Sequence, residues 1–586
     1  MIKASKKYLM RVVKSGVGLF PAETRKKMRQ NLWLFNLYSR SLQKSGLFYG
    51  FPTPQKLQKL YIKTIVRQSI EIEKISAARV SYVKANCCIA LSGQTVDDLR
   101  SIKMTLANTG IRAIYLTGEK SLVEHYLAQF AGVSDKFVGK IEHLLDELDS
   151  SPLLVLRGGD ILHSSAVSVF AYYLQVENKI AKILYCDIDS YDSSGKRHIA
   201  EFFPAWNPDL QLTTGYVRTG VFLQGADIIN QFVHFVSINQ GLSSIALWIS
   251  HCYLQDRNVS VNHIPLCLLH QTSNKPMQWH KELAKLNRTE FVVAKGEASS
   301  VAKLEWYKES HPLVTLVIPT KNAKDLVQTC ITSILAKTSY QNFEILLIDN
   351  NSDDQDALAY FETLQRSEPK VSVLSYPYEF NYSAINNFAV RHAKGEIVGL
   401  INNDIEVISA NWLADMVGQA IRSDIGCVGA KLLYPDTRVQ HAGVVMGYGG
   451  GAGHAHKYFP RHHPGYLNRL AATHNYSAVT AACLLIKKVD FDAVGGLNEK
   501  DLTVAFNDVD FCLRILALGR RNLYCAEAEL FHHESVSRGA DDTSIKRERF
   551  ENELTYLQST WADIINDDPA YNPNLTLRFE NFSIKD

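Results

Sequence analysis

From Leu313 onward, apolar and polar positions fall into short blocks that alternate with helical spacing. The run Leu313–Ile318 is apolar but for Thr315 and stops at Pro319-Thr320, which predicts a buried strand followed by a loop. Asp325–Ala336 then carries apolar residues at helical intervals. Phe343–Ile348 is a second short apolar run closed by the turn cluster Asp349-Asn350-Asn351-Ser352, and Ile397–Ile401 is a third, closed by Asn402-Asn403-Asp404. Strand, helix, strand, helix, strand is the order that builds a parallel sheet. The polar residues at the carboxyl ends of its strands line the ligand crevice. Three clusters are therefore expected to converge: Thr320-Lys321-Asn322, Asp349-Asn350 and Asn402-Asn403-Asp404.

Upstream the pattern is less regular, and the chain divides into a basic, helical arm (1–75), a mixed region (76–307) and the α/β region (308–586). At 586 residues the chain exceeds what one core usually supports, so several domains are expected. Gly447–Gly453 is glycine-rich but lacks the GK[ST] ending of a phosphate loop and follows no evident strand. It reads as a mobile loop, with His454 and His456 beyond it as exposed loop residues or ligand contacts.

Charge changes the picture at the N-terminus. The formal net charge is only +3, yet up to Arg67 there are fifteen Lys or Arg against the single acid Glu23, so the remainder is net acidic. Aromatic residues (Trp33, Phe35, Tyr38, Phe48, Tyr49, Phe51, Tyr61) interleave with the basic ones. That composition suits an anionic membrane surface, where each Lys or Arg contributes about 1 kcal/mol, and equally a solvated basic helix packed on the next domain. The acidic remainder argues against nucleic acid as a partner. No run reaches the roughly 18 apolar residues of a spanning helix, and Lys7, Arg11 and Lys14 interrupt what would be a signal peptide. Ten scattered cysteines without a CxxC pair read as buried thiols in a reducing cytosol, so a cytoplasmic protein, peripheral on the inner membrane face, is expected.

Three groups have the chemistry to act on a charged ligand. Asp404, with Glu406 two residues on, is placed to hold Mg²⁺ or Mn²⁺, which needs only one or two protein carboxylates when phosphate oxygens complete the shell; an Asp after a strand is also a common turn former. Asn507-Asp508-Val509-Asp510 precedes the helical run Phe511–Leu518. Asn507 suits an N-cap and both acids suit the helix dipole, while Asp508 at a crevice rim suits a general base and Asp510 a structural role. In Phe531-His532-His533-Glu534-Ser535-Val536-Ser537-Arg538, an imidazole can complete a metal site and Arg538 can fork onto phosphate.

Together these stretches resemble glycosyltransferase family 2. VTLVIPTKN, EILLIDNNSDD, FNYSAINNFAV, INNDIEV, VGAKLLYPDTRVQHAGVVMG, VAFNDVDFCLR and FHHESVSRG occur in family order between Leu313 and Gly539. The resemblance implies a GT-A (nucleotide-diphospho-sugar transferase, Rossmann-like) fold and an inverting, metal-dependent transfer of a sugar from a nucleotide-sugar donor to a glycan or lipid-linked glycan. It places Pro319, Thr320, Asp349, Asn350 and Asn403 around the nucleotide, with Arg538 on the diphosphate. Asp404 and His532 fall at the metal and Asp508 at the base. Asn403 stands where the common motif has its first acid. The DNNS form is similar to that of rhamnosyl and other deoxysugar transferases of bacterial surface polysaccharides (O-antigen or capsule).

The middle region resembles the same family in a worn form. Arg157-Gly158-Gly159-Asp160 follows its apolar run as Asn402-Asn403-Asp404 follows another, and His270 ends a segment similar to the late histidine stretch. Where the base is expected, Gly241–Leu247 holds no acid, so a degenerate GT-A-like module, structural or acceptor-binding, is expected rather than a second active transferase. Two other readings remain at this stage: a glycan-binding scaffold, and a sugar-1-phosphate nucleotidyltransferase. The latter needs a basic, Gly-rich loop after the first strand, which VIPTKNAKD does not supply.

Overall fold

The computed structural model describes residues 52–77, 84–132, 135–146, 151–176, 181–192, 197–272, 277–307, 311–533 and 544–586. Arg538 and the first 51 residues lie outside that set.

The first sheet has nine strands, β1 (Ala85–Ala90), β2 (Ile111–Thr117), β3 (Phe137–Lys140), β4 (Leu153–Arg157), β5 (Asp160–Leu162), β6 (Ile183–Tyr191), β7 (Arg197–Glu201), β8 (Val221–Leu223) and β9 (Val261–Gln271). A hairpin, β10 (Phe291–Lys295) and β11 (Ala302–Trp306), leads into the second sheet. That sheet comprises β12 (Val314–Thr320), β13 (Phe343–Asp349), β14 (Val371–Ser375), β15 (Ile397–Ile401), β16 (Ile405–Val407), β17 (Ile425–Leu433) and β18 (Val439–His441). After a separate hairpin, β19 (Val444–Met446) with β20 (Ala452–His454), it is completed by β21 (His474–Tyr476), β22 (Cys483–Lys487) and β23 (Arg521–His532).

The strand orders are β3-β2-β1-β4-β8-β6-β9-β5 and β14-β13-β12-β15-β22-β17-β23-β16. They are the same order, position for position. The directions agree as well: β1 is parallel to β2 and β4 as β12 is to β13 and β15, and β8 runs antiparallel to β4 as β22 does to β15. Each half is an α/β unit of the GT-A type, with an antiparallel strand wedged into a parallel sheet. The largely apolar runs seen in the sequence are the central strands. β12 and β15 are covered on both faces, and their side chains divide between the cores around Ile318 and Val317.

The halves are joined by shared burial. Tyr61, Phe202 and Cys267 pack in one cluster with Leu433, Tyr476, Tyr571 and Phe582. Beside that cluster lies a buried ionic group: Arg422 donates to Asp209 at 2.7 Å, and Arg521 reaches both Asp209 (3.1 Å) and Asp424 (2.9 Å). The C-terminal segment crosses back, with Asn572 Nδ2 donating to Asp187 at 3.0 Å.

Of the basic arm expected up to residue 75, the described part is the helix Pro54–Ala77, which buries Leu60, Tyr61, Thr64, Gln68 and Ile72 and packs on the first module. Two sequence expectations are corrected. Gly447–Gly453 does follow a strand: it is the turn of the β19–β20 hairpin, where glycine supplies the positive φ at 447, 449 and 450. His456 is fully buried and His454 is largely enclosed, its imidazole lowered to about 3 by burial. All ten cysteines are buried and unbridged, as read from the sequence.

Candidate functional site

The site sits at the carboxyl ends of β12, β13 and β15, where the parallel strands leave their last residues facing one crevice. Asn403 Nδ2 donates to Thr320 Oγ1 at 2.9 Å, tying the β15 end to the β12 end. Asn322 Oδ1 accepts the amides of Asp353 and Asp354, both at 3.0 Å, tying β12 to the loop after β13. The three polar clusters thus meet. Pro319 is half-buried within β12. Asp349 closes its own turn by accepting from Ser352 N at 3.1 Å and Ser352 Oγ at 2.5 Å. Asn350 is buried, and its amide donates to the carbonyls of Tyr376 and Tyr378, bracing the crevice wall.

His532 ends β23, whose antiparallel pairing with β16 sets it opposite Ile405 and brings its ring beside the preceding residue. Its Nε2 lies 3.1 Å from Asp404 Oδ1, and its Nδ1 lies 2.7 Å from Gln440 Oε1. An amide oxygen accepts from Nδ1–H, and that tautomer turns the Nε2 lone pair toward the carboxylate. Two lone-pair atoms 3.1 Å apart repel unless a cation or proton lies between them, so the edge is suited to a hard divalent metal, and Gln440 is the outer partner a ligating imidazole requires. Among the described residues no third His, Cys, Asp or Glu completes a metal group, so a cation held by this pair would take its other ligands from substrate oxygens or water. Glu406 points to other partners, His533 at 3.1 Å and Lys337 at 3.5 Å.

Asp508 opens the helix Asn507–Ala517. Asn507 does not cap it: the residue before the helix is Phe506, held at φ 59°, a left-handed conformation that costs energy for an aromatic residue. The loop is fixed by Glu553 of the helix Ser544–Thr560, which accepts from Thr503 Oγ1 (3.0 Å), Val504 N (2.8 Å) and Ala505 N (3.0 Å). The Asp508 carboxylate is half-buried and takes the Ala481 amide at 3.1 Å; burial pushes its pKa up, against the pull of that bond and of Thr480. Asp510 turns inward to Arg514 (2.8 Å) and Trp561 Nε1 (2.9 Å).

A continuous route connects these groups. Ala481, whose amide binds Asp508, offers its carbonyl to Tyr382 Oη at 3.2 Å; the same hydroxyl contacts Asn402 Oδ1 at 3.2 Å, and Asn402 Nδ2 lies 3.2 Å from His532 Nε2. Asp404, His532 and Asp508 therefore share one neighbourhood. Gln440 and Tyr382 were not singled out in the sequence, although both stand inside the family-like stretches. Glu553 lies in the charged run RERFENE, which gives no signal of its role.

Residues 315–493 match the model described as glycosyl transferase family 2. The protein y4gI of Sinorhizobium fredii is 39% identical over 486 residues, covering 79% of this chain and 53% of that one. The O-antigen biosynthesis protein RfbC of Myxococcus xanthus is 32% identical over 446 residues, 72% of this chain and 33% of its own. The chain thus matches 53% or less of the length of these relatives. Among solved structures, a mannosyltransferase from Pyrobaculum calidifontis in complex with GDP-Man and Mn²⁺ is similar at 16% identity and a TM-score of 0.34, covering 51% of this chain and 74% of that one. The family match spans β12 to β22 and so takes in the strand ends that carry Thr320, Asp349 and Asp404; by that match residues 315–493 form a glycosyl transferase family 2 segment within the second α/β unit.

Proposed function

We propose that the second module is an inverting glycosyltransferase that moves a sugar from a nucleotide-diphosphate donor to a glycan or lipid-linked glycan in bacterial surface polysaccharide synthesis. The observation that carries this reading is the hydrogen-bonded route from Asp508 to the Asp404–His532 pair at the ends of β15 and β23. Thr320, Asp349 and Asn403 line the crevice for the nucleoside, and Pro319 and Asn350 shape its wall. Arg538 is assigned to the diphosphate by its place in the sequence alone.

Asp404 and His532 would hold Mg²⁺ or Mn²⁺, which when bound neutralises negative charge on the departing diphosphate. Asp508 holds the acceptor hydroxyl and takes its proton as the oxygen bonds to the anomeric carbon; the bond to the diphosphate oxygen breaks, and its electron pair leaves with the nucleotide. A carboxylate whose pKa is raised by burial is a better proton acceptor than an exposed one. The first module supports the second without chemistry of its own, and the basic arm rests on an anionic membrane face.

The test is a turnover screen of the full chain against a panel of nucleotide sugars with Mn²⁺, Mg²⁺ or EDTA and glycan or lipid-linked acceptors. Metal-dependent release of nucleoside diphosphate that requires an acceptor is expected. Silence across the panel together with no donor binding would remove the reading.

A further inference from the structure

The first module repeats the strand order of the second, so its own crevice can be compared residue by residue. At the end of β4 the chain turns through Gly158 and Gly159, at φ +99° for Gly159, and delivers Asp160. A Cβ on Gly158 would lie 1.7 Å from Asp98 Oδ1, so the turn is built for glycine. Asp160 does not face the crevice as Asp404 does. Its Oδ2 accepts from the Arg157 amide at 3.0 Å and from the Thr219 hydroxyl, and its side chain is consumed inside the protein.

The crevice instead presents donors. Arg157 is 9% exposed, and its Nε has no hydrogen-bond partner among the described residues, although Asp160 and Glu201 lie near enough to attract its charge. By register Ile161 opposite His270 corresponds to Ile405 opposite His532, and His270 is held by Asp189 at 2.7 Å; Gln271, one residue further on and opposite Asp160, is 3% exposed with its Nε2 unpartnered among the described residues. Arg218 lies between them: one Nη donates to Glu201 at 2.7 Å and to Gln271 Oε1 at 3.4 Å, while its buried Nε has no acceptor among the described residues. Two guanidinia and an amide with buried, unpartnered N–H groups therefore lie at the strand ends that correspond to those carrying Asp404 and His532. The acids nearby are Asp98 and Asp97, beside Gly158 and Gly159, with Asp160 and Glu201; Asp98 is taken by the Ser92 and Gly93 amides and Glu201 by Arg218.

We infer that the first module holds a metal-independent binding site for a phosphate-bearing ligand, in which Arg157, Arg218 and Gln271 replace the metal. Guanidinium groups match phosphate oxygens in a planar fork, so oxyanion recognition survives there although a metal edge does not. The site needs no catalysis in the second module. Its ligand class, a mono- or diphosphate, has two sources: a nucleotide or a polyprenyl-linked glycan.

The experiment uses the full chain carrying Asp404→Ala, in EDTA, so that the metal-dependent site of the second module is silent. Pyrophosphate, UDP and farnesyl diphosphate are titrated by calorimetry. Saturable binding of at least one is expected, weakened about tenfold or more by Arg157→Gln and by Gln271→Glu, with Arg157→Lys retaining part of it. Tightest binding of farnesyl diphosphate assigns the lipid source, and tightest binding of UDP the nucleotide. No binding in EDTA, or equal affinity in the folded Arg157→Gln and Gln271→Glu proteins, overturns the site. Loss of transfer activity in the unmutated chain would bear on the second module alone.

Discussion

His532 Nε2 faces Asp404 Oδ1 across 3.1 Å, while the opposite ring nitrogen of His532 is engaged by Gln440. This pair can bind a cation only while Gln440 keeps the tautomer. Gln440→Ala is expected to weaken Mn²⁺-dependent donor binding by about 10–100-fold, and Asp404→Ala by at least as much. Calorimetric titration of UDP with and without Mn²⁺ reads both. Identical affinities with and without the metal in the unmutated protein would take Asp404 and His532 out of a metal site.

Asp508→Asn keeps the shape of the side chain and removes the proton acceptor, so transfer should fall by roughly 10²–10⁴-fold while donor affinity is unchanged. Because burial raises the Asp508 pKa in the folded state, its charged form opposes folding from the ordinary carboxylate range upward. The Asn variant should therefore melt at the same or a higher temperature at pH 7, with the difference vanishing below about pH 4. A variant that turns over normally, or that melts lower at pH 7 than at pH 4 relative to the parent, contradicts the assignment.

Glu553 supports Asp508 from a distance through the strained loop at Phe506. Glu553→Ala leaves three donors without their acceptor, at about 1–3 kcal/mol for each one that stays buried. The turnover number should drop while the donor KM holds, and Glu553→Gln should recover part of it. Steady-state kinetics with a melting curve separates this from simple unfolding: an Ala variant with full turnover would show that the loop positions nothing.

The two modules share the Asp209–Arg422 ion pair, which is buried on both sides. Burial alone would raise the Asp209 carboxyl, but Arg422 and Arg521 beside it hold it below the ordinary 3.8. Its contribution is therefore present above about pH 4 and is lost as pH falls through the depressed value. Asp209→Ala should cost about 1–3 kcal/mol at pH 7, since it removes the shortest acceptor of a buried guanidinium that keeps Gln419 and Asp424, and less as pH falls below the ordinary carboxylate range. Denaturant titration at pH 7 and below that range checks the sign as well as the size.

Removing residues 1–51 should release the protein from anionic vesicles without unfolding it. The cut stops there because the next helix buries Leu60 and Tyr61, and the Tyr61 hydroxyl donates to Asp189 at 2.7 Å. Continued sedimentation of the truncated chain with phosphatidylserine vesicles would refute anchoring by the arm.

The sequence by itself determined the central strands of the second sheet, because a strand buried on both faces must be largely apolar, and Val314–Thr320, Phe343–Asp349 and Ile397–Ile401 are, with polar residues confined to Thr315, Glu344 and the strand ends. It also determined that polar strand ends would gather, since parallel strands expose the same end to one side. What it left open were matters of long-range pairing. Nothing local told that Gly447–Gly453 turns a hairpin, that His456 is enclosed, or that Glu553 reaches back to Val504. The register of β23 against β16 decided that His532 meets Asp404, and the repeat of one strand order in both halves became visible only in the sheets. Side-chain periodicity reports which face of an element is covered, whereas what covers it, and which carboxylate it brings within reach, follows from packing between segments far apart in the chain.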